Sequence, residues 1–215
     1  MNSAVSSDFR LPRLLLCEGP HDAGFFRALI ASRNLKEFHI RCPTKEAGYG
    51  ISGFGKSLLG FTVITGFEKI ADIVIVGDND DDPTASFNAI CDQVADAGFT
   101  APTQPNLTVS GSPNVHVMMV PSPNLAGSLE SLCYTAASNA NADVAACVQA
   151  YEQCLAIGSW QEQKKAKMRL RSILAGSYRK NPDILFSRVW QEEPSLIPLS
   201  DAVFDPLANF LATIN

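Results

Sequence analysis

Apolar runs alternate with helical patterns along the first half of the chain, and this alternation predicts an α/β fold. Residues 21–34 carry apolar positions at the i, i+3, i+4 spacing of a helix packed on a sheet. Residues 82–98 open at Asp-Pro and close on glycine, as helices commonly do. Short apolar runs that end in turn residues indicate buried strands at 13–17 (RLLLC), 38–42 (FHIRC), 72–76 (DIVIV) and 115–120 (VHVMMV). This order predicts a doubly wound parallel sheet with right-handed crossovers.

The second half of the chain has a helical pattern from Leu125 onward. Helices are expected at 125–138, 143–158, 160–178 and 204–214, the last of them short and amphipathic. The segment 58–70 (LLGFTVITGFEKI) fits neither pattern well, so its type stays open.

Composition is that of a globular protein, with 46% hydrophobic and 18% charged residues. No apolar run is long enough to span a bilayer, so no membrane partner is expected. The first ten residues lack the basic start and apolar core of a secretory signal, which favours a cytoplasmic location. The six cysteines form no C-x-x-C pair and are expected to be reduced, buried thiols, which argues against a zinc site.

The net charge of −5 argues at first against a nucleic-acid partner. Its distribution weakens that argument, because acids cluster at 18–22 and 78–82 while lysines and arginines crowd residues 164–171. An acidic site beside a basic stretch suits a metal-dependent enzyme that acts on polyphosphate or nucleic acid. The alternative is that the basic stretch is a solvated helix face.

The segment Gly50 to Ser57 reads GISGFGKS and matches the phosphate-binding loop pattern G-x-x-x-x-G-K-[ST]. Such a loop works when it leaves a buried strand directly and feeds a helix. Here polar, turn-like residues precede Gly50, and the nearest predicted strand ends at Cys42. A P-loop NTPase therefore stays an alternative. The favoured interpretation is an amide-rich lip beside an acidic pocket, with Lys56 available to a substrate phosphate.

Three carboxylates follow two predicted strands. Glu18 comes directly after the first strand, and Asp78 and Asp80 come after the strand at 72–76. The carboxyl ends of parallel strands are where open α/β sheets bind ligands, so these side chains can converge. An oxygen-only set prefers Mg²⁺ or Mn²⁺, and an Asp-x-Asp pair at a strand exit can point both carboxylates the same way. The alternative is that residues 78–83 form only a turn and a helix cap.

These segments resemble the motifs of TOPRIM domains. CEGPHDAGFF is similar to the first motif, a strand followed by Glu-Gly and a helix, and DIVIVGDNDDDP is similar to the Asp-x-Asp motif. PNLAGSLESLCY resembles the Gly-x-Leu-Glu element of the subgroup that holds the overcoming-lysogenisation-defect (OLD) nucleases and small stand-alone proteins. The resemblance implies a TOPRIM-like, Rossmann-like core over residues 1–135. Residues 136–215 would be a helical extension packed on that core as one compact unit.

The resemblance also implies roles for individual residues. Glu18 matches the lead glutamate, a metal ligand or general base, and Asp78 and Asp80 match the metal-binding aspartates. Asp22 and Glu130 fall where OLD-like members have further acidic residues, and those members use two metal ions. A basic residue follows the last glutamate in such nucleases, and Lys167 is the favoured counterpart, so the expected catalytic set is Glu18, Asp78, Asp80 and Lys167. The residues expected to bind phosphate or nucleic acid are Lys56, Lys164, Lys165 and Arg171.

The activity implied is Mg²⁺- or Mn²⁺-dependent hydrolysis of nucleic-acid phosphodiesters, or a related phosphotransfer. The expected partner is DNA or RNA, while a partner ATPase and a homodimer are left open. The chain is too short to carry the tyrosine domain of a type IA topoisomerase as well. Besides the NTPase, the other alternative is a non-catalytic TOPRIM-like module that binds a nucleotide or a partner in the same pocket.

Overall fold

The computed structural model describes residues 8–48 and 50–214, and in it the chain forms an α/β fold built on a four-stranded, all-parallel sheet. The strands are β1 (Arg13–Cys17), β2 (His39–Arg41), β3 (Asp72–Asp78) and β4 (Asn114–Val120). The helices are α1 (Pro20–Ser32), α2 (Phe54–Thr62), α3 (Pro83–Asp96), α4 (Leu129–Ala140), α5 (Ala142–Cys154), α6 (Glu162–Ser177), α7 (Val189–Glu192) and α8 (Asp205–Thr213).

The strand order is β2-β1-β3-β4, with every neighbouring pair parallel. The chain moves from β1 to β2 on one side and then crosses back to place β3 on the other side of β1. The order therefore reverses between β1 and β3, which makes the gap at their carboxyl ends a topological switch point. The predicted parallel α/β sheet is confirmed, and the arrangement is consistent with a Rossmann-like fold.

Both faces of the sheet are covered, which explains why the strands read as nearly continuous apolar runs. Leu15, Cys17, Val74 and Val76 pack with α1, α4, α6 and α8 in one core. The alternate strand residues pack with α2 and α3 in a second core, to which α2 contributes Phe54 and α3 contributes Phe87. Helices on opposite faces are the arrangement expected of a doubly wound sheet.

Two segments differ in detail from the expected elements. The unassigned stretch 58–70 continues α2 to Thr62 and then forms a short 3-10 turn at Phe67–Lys69. The helix expected from Leu125 begins only at Leu129. Leu125 and Gly127 are instead held in extended bridges, to Ser122 and Asp80 respectively, so the preceding residues form a folded loop.

The cysteines are free thiols, but the expectation that all of them are buried is wrong. Cys17 and Cys133 are buried in the apolar core, whereas Cys147 and Cys154 are exposed on α5. The prediction was based on the apolar residues next to these cysteines in the sequence. In α5, however, the buried residues are only Ala145 and Val148. None of the helices formed by the described residues is long and apolar enough to cross a membrane.

Candidate functional site

The switch point between β1 and β3 brings Glu18 against Asp78. Glu18 directly follows β1, and Asp78 is the last residue of β3. The Asp78 backbone N–H donates a hydrogen bond of 2.8 Å to Oε1 of Glu18. This bond connects the ends of two strands that lie side by side although their residues are 60 positions apart. The predicted meeting of the two strand ends is thus present in the structure.

Two helix N-termini hold the carboxylates of the site. Asp22 lies in the first turn of α1, where its Oδ2 accepts the Gly19 N–H at 2.9 Å. Oδ1 of Asp78 accepts the N–H of Leu129, the first residue of α4, at 2.9 Å. Unpaired amides and the positive end of the helix dipole stabilise negative charge at such places. Helix N-terminal amides therefore help to retain these two acidic side chains in a largely buried location.

Burial and mutual repulsion make these carboxyl groups weak acids. Burial raises the pKa of Glu18 to about 7, with Asp22 and Asp80 adding to the rise. Burial, together with Glu130, raises the pKa of Asp22 to about 6. Burial raises the pKa of Asp78 well above its usual value, and the charges of Glu18 and Asp22 raise it further. We call Glu18, Asp22 and Asp78 the inner carboxylates, because together with Gly77 and Phe26 they line one small buried recess.

Asp80 lies at the outer side of the site. Its backbone has φ of 49° and forms a two-way bridge with Gly127, so the extended alternation of β3 does not continue through it. Its carboxylate accepts a hydrogen bond from the side-chain amide of Gln163 on α6. Burial raises the pKa of Asp80, while Lys167 lowers it. Asp78 and Asp80 therefore contact different neighbours, in contrast to the shared direction expected from their i, i+2 spacing.

Glu130 and Lys167 complete the surroundings of the inner carboxylates. Glu130 lies in the first turn of α4, and its charge raises the pKa of Asp22, Asp78 and Asp80. Lys167 on α6 lowers the pKa of Glu18, Asp22 and Asp80. Lys167 is thus the basic residue of the 164–167 cluster that the fold directs towards the acids, as the resemblance favoured.

The other candidate basic residues of the 164–171 stretch also lie on α6. Nζ of Lys165 forms an ion pair with Oε1 of Glu162 at 2.7 Å, and Nζ of Lys164 lies 4.0 Å from the ring centre of Trp160. Arg171, one helical turn after Lys167, is exposed and lines the same cavity as Lys167. The helix therefore separates the basic stretch into one group that faces the site and another that does not.

The glycine-rich segment lies partly beside the site. A Cβ at Gly50, which has φ of 66°, would lie 3.5 Å from Oε2 of Glu18, so this glycine borders the inner carboxylates. Gly50 precedes a 3-10 turn at Ile51–Gly53, and α2 then begins at Phe54. Ser57 is buried and Lys56 is exposed on α2. Twelve residues separate β2 from α2 (Cys42 to Gly53), which differs from the direct strand-loop-helix turn that a P-loop requires.

A cavity of about 620 Å³ opens next to the inner carboxylates. Glu130 and Lys167 belong to its wall, together with His21 from the start of α1 and Phe186 from the segment before α7. Its size lies within the range of small-ligand pockets, roughly 300–1,000 Å³. The cavity and the acidic recess have different lining residues, but His21 and Glu130 of the cavity are the chain neighbours of Asp22 and Leu129 of the recess, so the two are adjacent.

Two site residues were missed at the level of the sequence. Gln163 contacts Asp80 from α6, and its i, i+4 spacing to Lys167 was the available signal that both lie on one helix face. Asn79, between the two aspartates, is fully buried, and its side-chain amide donates to the carbonyls of Ser122 and Leu125. Asn79 therefore ties the end of β3 to the loop that precedes α4.

The donor chemistry of the site fits a hard divalent cation. The inner carboxylates offer only oxygen donors, and burial with like charges makes their ionisation costly unless a cation compensates it. Within residues 8–48 and 50–214, however, no group of three or more His, Cys, Asp or Glu side chains is placed to hold one metal ion. Binding a cation would thus require the inner carboxylates to turn towards one another.

Comparison with known proteins identifies one family. The model of a family described as a protein of unknown function (DUF3226) matches residues 12–214, which is nearly the whole chain. No curated protein and no solved structure matches the chain.

Proposed function

The chain belongs to the DUF3226 family, and we propose that it is a divalent-metal-dependent phosphodiesterase that cleaves nucleic acid. The proposal includes a TOPRIM-like arrangement of the site, in which Glu18 follows the first strand and Asp78 ends the neighbouring one. In support, the helix α4 that carries Glu130 begins against Asp78, so the three segments with the motif resemblance lie together.

The observation that carries the proposal is the burial of three carboxylates at the switch point without an equal number of cations. Glu18, Asp22 and Asp78 line one recess, where burial raises the pKa of each and so disfavours their charged forms. Lys167 is the one cation whose charge lowers the pKa of Glu18 and Asp22 among the described residues. Such uncompensated clusters are typical of functional sites and of sites that take Mg²⁺ or Mn²⁺.

Specific roles follow for the residues of this chain. Glu18, Asp22 and Asp78 would hold the cation, with Asp80 and Glu130 on its outer side. A divalent cation bound there supplies Lewis-acid activation of a phosphoryl group. A bound cation favours the ionised form of Glu18, so its role in the loaded site is that of a ligand, and Lys167 offers positive charge to a phosphate entering from the cavity.

Binding without cleavage is the second candidate, and a specific observation favours it. Each inner carboxylate already accepts a backbone N–H: Asp22 from Gly19, Glu18 from Asp78, and Asp78 from Leu129. These bonds hold strand ends and helix starts together even without an ion. A module that recognises a nucleotide or partner in the adjacent cavity would use the same structure and need no chemistry.

The test combines metal titration with cleavage assays. Calorimetry would measure binding of Mn²⁺ and Mg²⁺ to the wild-type chain and to Asp78→Asn, which can still accept the Leu129 N–H. The matched control is Asp96→Asn, an exposed carboxylate on α3. We expect wild type and D96N to bind Mn²⁺ and cleave labelled DNA or RNA, and D78N to lose both properties. Failure of the wild-type chain to bind either ion would overturn the proposal, and ion binding without cleavage of any nucleic acid would support the second candidate.

A further inference from the structure

The wall of the cavity beside the acidic site combines charged and apolar side chains. Lys167 and Arg171, four residues apart on α6, line it together with Glu130 and His21. Leu170 and Leu174 lie on the same face of α6 as these two cations, and Leu185 also lines the wall. Asp183 is a second acid in the lining beside Glu130. A ligand that contacts Lys167, Arg171 and the leucines together would carry an anionic group on a largely apolar body.

An aromatic surface forms one wall of the cavity. The Phe186 ring lies 5.9 Å from the His21 ring and 5.2 Å from the Trp190 ring. Nearby, Leu185 lines the cavity and is 59% exposed, so its apolar surface is accessible to a ligand. Aromatic and apolar side chains of this kind stack on nucleic-acid bases in a way that tolerates any base.

The wall is held firmly in place by the core. A Cβ at Gly24 would lie 3.1 Å from the Ser187 carbonyl oxygen, so α1 and the segment after Phe186 are in close contact. Trp190 packs on Phe25, with ring centres 5.4 Å apart, and its indole N–H donates to the Ile197 carbonyl at 3.1 Å. The segment that follows Phe186 is therefore fixed against α1, so a ligand would not have to order this part of the wall on binding.

We propose that this cavity binds one phosphorylated nucleoside whose base is unpaired. The phosphate lies towards Lys167 and Arg171, and the base lies against Phe186 and Leu185. This inference rests on the proposed function, in which the neighbouring carboxylates bind a catalytic cation. It adds that the substrate binds as a single unpaired nucleotide. A base inside a duplex has both faces stacked and its pairing edge occupied, so a free nucleotide or the unpaired end of a strand fits, whereas an intact duplex does not.

A cavity-filling substitution tests the inference. Ala175 lines the cavity from α6 and is exposed, so Ala175→Phe fills space without disturbing the core. The matched control is Ala150→Phe, the same change at an exposed position of α5. The probes are adenosine monophosphate, a short single-stranded oligonucleotide and a blunt duplex of the same sequence, each titrated in EDTA. We expect A175F to weaken binding of the first two probes by at least about tenfold, or 1.4 kcal/mol, and A150F to leave it within about twofold.

A charge reversal provides a second, independent measurement. Arg171→Glu should weaken binding of the monophosphate more than that of adenosine, whereas Arg179→Glu, exposed outside the cavity lining, should leave the ratio unchanged. If the wild type binds the monophosphate but not the single-stranded oligonucleotide, the ligand is a free nucleotide. If it binds the monophosphate and the oligonucleotide, the ligand is the unpaired end of a strand.

The outcomes separate this inference from the proposed function. A175F that binds nucleotide like the wild type, or a blunt duplex that binds as tightly as the single strand, overturns the cavity assignment even if the wild type cleaves nucleic acid. Conversely, nucleotide binding that A175F abolishes supports the cavity assignment even if no metal and no cleavage is found. Mn²⁺ titration of A175F should match the wild type, because Ala175 lies outside the acidic recess.

Discussion

Oε1 of Glu18 accepts the backbone N–H of Asp78 at 2.8 Å, across the point where the strand order reverses. This contact places a carboxylate that follows β1 against one that ends β3. Neither could be kept there by local structure, since their residues are far apart in the sequence. The predictions that follow depend on this arrangement and on the helices that surround it.

The metal-free protein should lose stability as pH rises from 5 to 8. The pKa of Glu18 is about 7 in the fold and 4.5 as its ordinary value, so the folded state binds more protons than the unfolded state between these limits. Stability is then greatest below the lower value and decreases until pH exceeds the upper one. Glu18 alone accounts for a loss of about 3 kcal/mol at most. Urea denaturation in EDTA at both pH values measures this change.

Glu18→Gln should flatten that pH profile and raise the stability of the metal-free protein at pH 8, because a neutral amide replaces a buried charge. The control is Glu68→Gln, an exposed glutamate, which should keep the wild-type slope. An E18Q profile as steep as that of the wild type would show that Glu18 does not titrate in this range.

Lys167→Ala should lower cleavage by roughly 10²- to 10³-fold if the chain is a nuclease, as removal of a charged group at a transition state commonly does. The change should also raise the pKa of Glu18 further, because Lys167 is the charge that lowers it. The matched control is Lys164→Ala, since Lys164 lies over Trp160. Rates and their pH dependence should be measured for both, and equal losses would contradict the separation of the two lysines on α6.

Lys56→Ala should leave Mn²⁺ binding unchanged. Lys56 is exposed on α2, and the segment around it is helical and 3-10 structure that no strand feeds directly. A P-loop NTPase would instead lose nucleotide triphosphate binding with this change. Titrating ATP in the presence of Mg²⁺ into the wild type and into K56A decides between the phosphodiesterase and the NTPase. Tight ATP binding that K56A abolishes would favour the NTPase.

Asn79→Ala should destabilise the fold by roughly 1–3 kcal/mol, since two hydrogen bonds from a fully buried amide, each worth about 0.5–1.5 kcal/mol, are lost. The acceptor carbonyls, of Ser122 and Leu125, belong to the loop before α4. The control is Asn139→Ala, which removes an exposed hydrogen bond to Asp201 and should cost no more than about 0.5 kcal/mol. Chemical denaturation measures both, and equal small effects would mean that Asn79 does not hold the loop.

Much of the fold could be predicted from periodicity. The four apolar runs became the four strands, and the helix capped at Asp82 begins at Pro83 as its sequence indicates. Hydrophobic patterns report burial directly, which is why they served well for strands with both faces covered. The same reasoning failed for Cys147 and Cys154, because apolar neighbours do not reveal which face of α5 is packed.

The site was predictable only in part. Glu18 and Asp78 could be placed together from the rule that ligands bind at the carboxyl ends of parallel strands. The direction of the Asp80 side chain could not be predicted, because the left-handed backbone conformation of Asp80 depends on its bridge to Gly127. The contact of Gln163 with Asp80 and the choice of Lys167 over Lys164 likewise depend on how α6 is rotated against the site.

By itself, the sequence determined the kinds of groups available: apolar runs for a parallel sheet, and carboxylates directly after two of its strands. Those are local properties, set by side-chain chemistry and by backbone preferences over a few residues. Only the tertiary structure decided that α6 supplies Gln163, Lys167 and Arg171 to one side of the acids, and that Phe186 closes a cavity against His21. Such contacts arise from packing between distant segments, and packing depends on the whole core and not on any single stretch of the chain.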